Sequence, residues 1–412
     1  ILSYFASMKI LNLLLFVTFT IICSAIGNAQ QNVQTVGELP SDVFETSGLI
    51  HYNGNLITHN DSGNEPILYE LDTLSLTIQR RVTVNNVTNI DWEAISQDED
   101  YIYIGDFGNN VGTRTDLAVY RISKDEYTSS NTVTAEIINF TYENQQNFEN
   151  NGNSDWDAEA FIVLENNILV FTKQWQSLGS EAYQFSKLPG NHVAISVGAI
   201  ENIGLVTDAT HDIEANRLVL IGYSSILSPF VGVVEDLKID MPFEGFTQES
   251  FGLNFVQAEG ITQTTSGNYF FSSEYYSRQT PTIESPSRLF SFQIPLVNSE
   301  EPEEPEEPET PDEPENPNEP DNPDLPDDND EDEEDERLII YRDNSSDHYY
   351  YSISTDKNVY GKVIYDVTGK EVWQNSENVE KKGIIIQHLE SSIYYMAIFL
   401  EDSVVSTPFA VY

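Results

Sequence analysis

Asp91-Trp92-Glu93-Ala94-Ile95 is a stretch that recurs, imperfectly, four more times along the chain. The other copies are Glu45-Thr46-Ser47-Gly48-Leu49, Asp157-Ala158-Glu159-Ala160-Phe161, Asp208-Ala209-Thr210-His211-Asp212 and Gln257-Ala258-Glu259-Gly260-Ile261. The first position is an acid or its amide, the fourth is mostly Gly or Ala, and the fifth is mostly apolar. Successive copies begin 46, 66, 51 and 49 residues apart. A period of this length predicts a repeat architecture.

Short apolar runs follow each copy and are separated by turn-forming residues. The first run covers residues 55–58, 101–104, 168–171, 218–221 and 269–271, and the second covers 67–71, 117–122, 182–185, 230–234 and 289–294. A further run is visible in the first three units, at 77–84, 133–142 and 193–200. Runs rich in β-branched and aromatic residues at this spacing predict strands.

Four strands per repeat predict an all-β fold, a β-propeller over residues 33–298. The repeats predict five blades, with six as the alternative if another blade occupies the long interval between 91 and 157. The fifth repeat lacks a fourth strand. Residues 33–39, upstream of the first copy, are expected to supply that strand and to close the ring.

The first 29 residues have the composition of a secretory signal peptide, with Met8 as the expected start. Lys9 supplies a positive charge, residues 10–22 an apolar core, and Gly27-Asn28-Ala29 small residues for cleavage. The alternative is an uncleaved membrane anchor, although the apolar run is short for a span. Cleavage leaves no transmembrane span and removes Cys23, the one cysteine, so neither disulfides nor thiol chemistry is expected.

The net charge of the chain excludes several kinds of partner. The sequence has 19 Lys and Arg against 68 Asp and Glu, a formal charge of -49 at pH 7. Such a chain repels the phosphates of nucleic acids and the surface of anionic membranes, so neither is an expected partner. The charge is typical of an exported protein, or of one that collects cations.

Residues 299–336 form an acidic, proline-rich segment between two parts of the chain. The segment contains 22 acidic residues, no basic residue and nine prolines, one at every third position from Pro302 to Pro326. This spacing matches the three-residue turn of polyproline II, and charge repulsion extends the chain further. The composition predicts a disordered linker, in which the stretch from Pro302 to Pro326 reaches on the order of 75 Å, since polyproline II rises about 3.1 Å per residue.

Residues 337–412 form a separate small domain in this interpretation. Short strand-like runs are expected at 349–353, 361–366, 371–374, 384–388, 394–400 and 409–412. Residues 366–370 are typical of a tight turn in which Gly369 adopts a positive φ. Seven or so strands in so short a segment predict a β-sandwich.

This C-terminal segment resembles the sorting domain of the type IX secretion system of Bacteroidetes. The resemblance lies in an Asp-x-x-Gly-Lys-x-Val hairpin at 364–372, and in the segment 384–389 that leads into Ile393-Tyr394-Tyr395. It implies that the secretion machinery is a partner, that the domain is removed during export, and that the protein is secreted or held on the outer-membrane surface. The alternative is a sandwich that binds a carbohydrate or another partner.

The repeats are expected to bring polar side chains to one rim of the propeller, where each first strand starts and each second strand ends. We expect a metal site formed by Asp91, Glu93, Asp106, Asp157, Glu159, Glu259 and Glu274. The other ligand-binding candidates at this rim are His59, Asp61, Lys173, Asp208 and His211. A ring of carboxylates repels itself unless cations or protons intervene, and oxygen ligands in this number suit calcium.

Each of these residue types also has a purely structural interpretation. Asp and Glu at the start of a blade can cap turns by accepting hydrogen bonds from backbone amides. Lys173 either pairs with an acid of the rim or binds an anionic group of a substrate. Trp92, Trp156 and Trp175 belong either to the core or to a platform for a sugar ring. The chain has no Gly-x-Ser-x-Gly and no His-Glu-x-x-His, the motifs of two common hydrolase classes.

The repeats resemble those of the phytase-like propeller families, which include the SdiA-regulated and esterase-like groups. The resemblance runs from Glu45 through Asn60-Asp61 and residues 68–72 to Asp91, and it returns at Glu259-Gly260-Ile261. It implies calcium on an acidic rim and, in the phytases, hydrolysis of phosphate esters.

Two functions remain open on the sequence. The first is a secreted or surface binding module, stabilised by calcium, for an extracellular ligand that the sequence does not name. The second is a secreted hydrolase that acts on a phosphoester, an ester or a glycan at the acidic rim. A phosphate site requires several basic residues, and this rim offers Lys173 with Arg114 or Arg278. The scarcity of basic residues favours the binding module.

Overall fold

The computed structural model describes residues 33–295 and 337–411 of the chain. Gaps in that description fall at 151, 225–226, 254, 280–281, 343–347, 367–370, 376–379, 386–388, 390–391 and 401–403. The expected signal peptide, the linker and the turn around Gly369 therefore lie outside the described residues. No helix within the described ranges is long and apolar enough to cross a membrane.

The first described part of the chain consists almost wholly of strands. In chain order they are β1 (Gln34–Glu38), β2 (Thr46–Tyr52), β3 (Asn55–Asn60), β4 (Ile67–Asp72), β5 (Ile78–Val84), β6 (Trp92–Gln97), β7 (Tyr101–Asp106), β8 (Ala118–Ser123), β9 (Thr132–Val133), β10 (Glu136–Tyr142), β11 (Ala158–Leu164), β12 (Asn167–Thr172), β13 (Ser180–Ser186), β14 (Gly190–Ile200), β15 (Leu205–Asp212), β16 (Arg217–Tyr223), β17 (Pro229–Val234), β18 (Thr247–Ser250), β19 (Ala258–Thr265), β20 (Asn268–Ser273), β21 (Tyr276–Gln279), β22 (Thr282–Ser285) and β23 (Arg288–Gln293). A 3-10 turn covers Ser41–Val43, and helix α1 covers Lys124–Ser129.

These strands form five blades whose inner strands close a ring. Blade 1 has the order β2-β3-β4-β5, blade 2 has β6-β7-β8-β10, blade 3 has β11-β12-β13-β14, and blade 4 has β15-β16-β17-β18. Blade 5 has the order β19-β20-β23-β1. The inner strands β2, β6, β11, β15 and β19 each contact the inner strands of both neighbouring blades. The prediction of a five-bladed propeller is confirmed.

The ring is closed by the first strand of the chain. Strand β1 pairs antiparallel with β23, so that Gln34 lies opposite Ser291 and Glu38 lies opposite Arg288. The last blade therefore takes its outer strand from the N-terminal side, as the sequence predicts for residues 33–39. Hydrogen bonds across this pair join the two ends of the propeller and leave no gap between them.

An apolar cluster lies at each of the five contacts between blades. Blades 1 and 2 share a cluster that includes Ile57 and Trp92, and blades 2 and 3 share one that includes Tyr103 and Phe161. Equivalent clusters join blades 3 and 4, blades 4 and 5, and blades 5 and 1. Because both faces of a middle strand are buried, strands such as β12 are continuously apolar rather than alternating.

The long interval between the second and third repeats does not contain a sixth blade. It contains α1, the two-residue β9, and the outer strand β10. Strand β10 pairs in parallel with β14, and Ile138 lies opposite Gly190. Blades 2 and 3 thus form one continuous eight-stranded sheet, in which two outer edges are paired with each other.

A β-bulge marks the inner strand near the acidic positions. In blades 2, 3 and 5, the bulged residue of the first strand has no partner on the second strand. These residues are Glu93, Glu159 and Glu259. In blade 4 the bulged residue is Thr207. The alignment of Asp208 with Asp91 is therefore wrong by three residues, and the fourth copy is Leu205-Val206-Thr207-Asp208-Ala209. Matching the copies by their acids misplaced this one, because blade 4 has no acid at the bulge.

The second described part is a small sandwich. Its strands are β24 (Arg337–Arg342), β25 (Tyr349–Ser354), β26 (Val359–Asp366), β27 (Glu371–Asn375), β28 (Lys382–Ile385), β29 (Ser392–Leu400) and β30 (Val404–Val411). They form a three-stranded sheet, β24-β25-β28, and a four-stranded sheet, β27-β26-β29-β30. Buried residues of both sheets, such as Tyr351 and Met396, belong to one apolar cluster. The predicted β-sandwich is confirmed.

Candidate functional site

Small residues let the inner strands approach each other closely around the channel. A Cβ atom placed on Gly48 would lie 2.6 Å from the backbone nitrogen of Ile95. A Cβ on Gly260 would lie 2.7 Å from the carbonyl carbon of Gly48. This explains why Gly48 and Gly260 carry no side chain. The narrow ring also forces the acids of neighbouring blades towards one another.

Five acids gather where the inner strands of blades 1 to 3 begin, a region called the acidic mouth below. One oxygen from each of Glu93, Asp157 and Glu159 lies within 4.8 Å of the others. Oxygens of Asp61, Asp91 and Glu93 form a second group of the same size. Glu93 belongs to both groups, and these side chains could hold a metal ion.

The Glu93 carboxylate is buried without compensation. Its residue is 4% exposed, and among the described residues no group donates a hydrogen bond to it. Burial, together with the negative charges of Asp61, Glu159 and Asp91, raises the pKa of Glu93 well above its usual value. Burial and the charge of Asp61 raise the pKa of Asp91 to about 7. At neutral pH this mouth therefore favours either protons or a cation.

Lys173 provides the one buried ammonium group near the described acids of the mouth. Its Nζ donates to Glu159 at 3.0 Å. The same atom lies 4.9 Å from the ring centroid of Trp175 and 5.2 Å from that of Tyr223. The interpretation of Lys173 as the partner of a rim acid is thus the one that the structure shows, and a single positive charge leaves the mouth strongly negative.

Asp157 is fixed by donors from two loops. Its carboxylate accepts hydrogen bonds from the backbone of Asn109 at 2.6 Å and from Nε1 of Trp175 at 2.8 Å. These bonds orient the side chain at the start of blade 3. Burial nevertheless raises the pKa of Asp157, against the lowering effect of Lys173 and of these donors.

The backbone of Gly108 lies directly against the carboxylates of the mouth. A Cβ atom on this residue would lie 2.1 Å from Oε1 of Glu93 and 2.4 Å from Oδ2 of Asp91. Only a residue without a side chain can approach the carboxylates so closely. No sequence pattern marks this contact, because the contribution of Gly108 is the absence of a side chain.

Asp106 has a structural role and is not part of either oxygen group. Its carboxylate accepts from Arg114 at 2.9 Å, from the Tyr120 hydroxyl at 2.9 Å and from the Asp91 backbone at 3.1 Å. These bonds support the strand end that carries Asp91. The structure therefore places Asp106 behind the mouth.

Glu259 and Glu274 continue the acidic rim into blade 5. Burial raises the pKa of Glu259 to about 7, despite the opposing effect of Lys173. Burial and the charge of Glu259 raise the pKa of Glu274 to about 9. Glu274 accepts a hydrogen bond from Nε2 of Gln257 at 2.6 Å. Both acids lie outside the two oxygen groups, and at neutral pH Glu274 retains its proton.

Three further candidates from the sequence lie elsewhere. The His59 ring is fully buried, 5.4 Å from the Trp92 ring, and burial lowers its pKa to about 4. Asp208 accepts from the backbone of Ile261 at 2.7 Å and so joins blades 4 and 5. His211 lines a separate cavity of about 310 Å³ between the inner strands. In the corrected alignment of blade 4, His211 follows the bulge and is no longer expected at the rim.

Comparison with known proteins identifies no family. No protein-family model and no curated protein matches the chain. Among solved structures, the chain is similar to a crystal structure of a protein of unknown function from Dyadobacter fermentans, with 8% identity and a TM-score of 0.35 over 64% of this chain and 99% of that one. It is also similar to Kuenenia stuttgartiensis hydrazine synthase, with 9% identity and a TM-score of 0.31 over 57% of this chain and 78% of that one. Likeness this weak carries no functional argument.

Proposed function

We propose that the protein is a secreted or cell-surface binding module that the type IX secretion system exports and that calcium stabilises at the acidic mouth. The resemblance of residues 337–412 to the sorting domain supports the export route. The carboxylate oxygens of the mouth are the kind of ligand that calcium takes, and they support calcium as the cation. The ligand of the module is extracellular in this proposal.

The carboxylate of Glu93 is the observation that carries the calcium proposal. It is shared by both oxygen groups and receives no hydrogen bond from the described residues. A buried, unpaired carboxylate is costly unless a proton or a cation compensates its charge. Calcium takes about six to eight oxygen ligands in a flexible arrangement. Neither group includes a histidine or a thiolate, which zinc and copper would favour.

The basic residues near the mouth are already paired with acids, and this favours a binding function over phosphoester hydrolysis. Lys173 is paired with Glu159, and Arg114 is paired with both Asp106 and Asp116. A phosphate group at the mouth would therefore meet acids whose charge these bases only partly offset. The side chain of Arg278 lies outside the described residues.

Thermal melts of the full-length protein over a series of free calcium concentrations test the proposal. A cation that binds only the folded state should stabilise it by about 2.7 kcal/mol at one hundred times its dissociation constant. Glu93→Gln keeps the size and hydrogen-bonding capacity of the side chain but removes its charge. We expect this variant to fold without metal and to lose most of the calcium response.

Glu136→Gln is the matched control, because Glu136 pairs with Arg121 and its side chain is 53% exposed. Calcium bound by the acidic linker would contribute equally to all three proteins, so the comparison isolates the mouth. A wild-type melting temperature that is indifferent to calcium would rule out the cation. If both variants responded equally to calcium, Glu93 would not be a ligand of the cation.

A further inference from the structure

A cavity of about 460 Å³ lies beside the acidic mouth and shares no lining residue with it. It is formed by the loops between β7 and β8, between β10 and β11, and between β12 and β13. The loop after β10 runs into Asp157, and the loop after β12 begins at Lys173, so the two sites are neighbours. The volume falls within the range of small-ligand sites.

Hydrogen bonds hold the three loops together and fix the walls of this cavity. The backbone nitrogen of Gln176 donates to Oδ1 of Asp155 at 2.8 Å, and its Nε2 donates to the carbonyl of Asn153 at 2.6 Å. The backbone nitrogen of Ser154 donates to the carbonyl of Asn110 at 2.8 Å. Walls that are ordered in advance reduce the entropy that a ligand must lose on binding.

A tryptophan supplies the aromatic surface of the cavity. The Trp156 ring is half-buried, and its centroid lies 5.5 Å from that of Tyr142. Tyr142 is itself buried and lies 4.5 Å from the Tyr183 ring. The rings behind Trp156 therefore support it, while part of it remains accessible. A rigid aromatic surface of this kind suits a ligand with one apolar face and a polar edge.

Carboxamides surround the tryptophan. The cavity is lined by Asn144, Asn147, Gln174 and Gln176. Gln174 is half-buried, and its side chain makes no hydrogen bond within the described part of the chain. The oxygen of Asn144 accepts from the Tyr183 hydroxyl at 3.1 Å, which leaves its amide nitrogen as a donor. Groups that both donate and accept suit hydroxyl groups, which do the same.

The charge of the lining selects against anions. Its ionisable residues are Glu149, Asp155 and Glu181, and no Lys or Arg is among the lining residues that the structure describes. Carboxylates accept hydrogen bonds from hydroxyl groups but repel phosphates, sulfates and uronates. A neutral, hydroxyl-rich ligand with an apolar face fits all three features of the cavity.

We propose that this cavity binds one neutral sugar unit of an extracellular glycan. The inference goes beyond calcium binding, because it gives the binding module a ligand class and a site of its own. The sugar ring packs on Trp156, and Gln174 bonds its hydroxyl groups. Calcium and sugar bind side by side without sharing a side chain.

Saturation-transfer NMR on the full-length protein tests this site. The probes are the methyl glycosides of glucose, galactose and mannose, with methyl glucuronide as the anionic counterpart. We expect at least one neutral glycoside to bind, and the glucuronide to bind more weakly. Gln174→Ala should weaken binding roughly fivefold, the equivalent of one hydrogen bond. Trp156→Phe should also weaken it, because the aromatic surface becomes smaller.

Gln293→Ala is the control, because Gln293 is an exposed amide on the outer part of blade 5 that bonds only Asn268 among the described residues. Absence of transfer to all three neutral glycosides would overturn the sugar site, and the calcium melts would be unaffected by that result. Binding that neither Gln174→Ala nor Trp156→Phe changes would also overturn it. Should Trp156→Phe fail to fold, the half-buried and unbonded Gln174 decides the question.

Discussion

Glu93 and Gly108 show how two single residues define the acidic mouth. Glu93 brings an uncompensated charge into a buried position, where a carboxylate is stable only with a proton or a cation. Gly108 lies against the same carboxylate because it has no side chain. Glu93 thus determines the charge of the mouth, and Gly108 determines the space around that charge.

Gly108→Ala should therefore disturb the mouth. Its Cβ would lie 2.1 Å from the Glu93 carboxylate, which must move away. Overpacking of this kind costs about 1–3 kcal/mol. Urea denaturation with and without calcium should show that loss together with a weaker calcium response. Gly37→Ala is the control, since its Cβ meets only the flexible end of Leu76 at 3.0 Å. A Gly108→Ala protein with wild-type stability and calcium response would contradict the assignment.

The pH dependence of the metal-free protein gives a second prediction at this scale. The folded-state pKa is about 7 for Asp91 and Glu259 and about 9 for Glu274, whereas unfolded carboxyls titrate near pH 4. Between pH 6.5 and 9 the folded state consequently retains protons that the unfolded chain has released. Stability is therefore lost as the pH rises through this range.

Thermal melts of metal-free protein at pH 6.5 to 9 check this slope. His59 does not affect this slope. Burial lowers its pKa, so His59 destabilises the folded protein only as the pH falls below about 6.5. Glu274→Gln should flatten the part of the curve near pH 9, and saturating calcium should flatten the part that Asp91 contributes near pH 7. A metal-free melting temperature that rises with pH would contradict the prediction.

The sequence predicted that acids of neighbouring repeats lie close together. Glu93 and Glu159 occupy the same position in the second and third repeats, and Asp157 opens the third repeat, so the period alone places them near one another. It could not place Asp208, because the copy in blade 4 lacks the acids on which the alignment relied. Nor could it identify Gly108, whose effect depends on a distance between chain segments that no local pattern records.

At the scale of elements, the contacts between blades depend on polar bonds as well as on apolar clusters. Asp212, at the end of β15, is fully buried and reaches the turn between β19 and β20. It accepts from the backbone of Gly267 at 3.0 Å and from the Tyr269 hydroxyl at 2.8 Å. The final residue of the misaligned repeat thus joins blade 4 to blade 5.

Asp212→Ala should destabilise the propeller by about 1–3 kcal/mol for each buried donor that it leaves unsatisfied. Burial opposes ionisation, but these hydrogen bonds lower the pKa of Asp212 below its usual value. Its contribution is therefore present above pH 4 and is lost as the pH falls through the folded pKa. Urea titrations at neutral pH measure the loss. Ile213→Ala, at a residue that is 77% exposed, should change stability by less than about 0.5 kcal/mol.

Inner and middle strands were predictable, whereas several outer elements were not. Strands such as β12 are buried on both faces, and that burial requires apolar residues which the sequence displays. Strand β18 is largely exposed, so its polar residues give no such signal. The parallel pair β10 and β14 joins segments some fifty residues apart in different blades, and no local spacing predicts it.

At the scale of the whole molecule, two folded parts of different size have different tasks in our proposal. The propeller contains the acidic mouth and the sugar cavity, and the sandwich directs export. Nearly all of the formal charge of -49 lies on the propeller and the linker, and it opposes association with anionic surfaces.

Deletion of residues 337–412 should leave the protein in the periplasm of a host with a type IX secretion system, because the secretion signal is then missing. Cell fractionation and immunoblotting measure the distribution. Removal of residues 303–325 is the control, since it shortens the linker but keeps both folded parts. Normal secretion of the protein without residues 337–412 would refute the export route.

The pairing that closes the ring also determines how the propeller responds to force. In the antiparallel pair of β1 and β23, Gln34 lies opposite Ser291, so both chain ends leave from the same side of the blade. Tension between these ends first meets the bonds from Arg217 to the carbonyls of Ile294 and Pro295, and then opens the hydrogen bonds between β1 and β23 one after another. A pull on the linker alone acts on β23, which is held on one side by β1 and on the other by β20, so two rows of hydrogen bonds resist it.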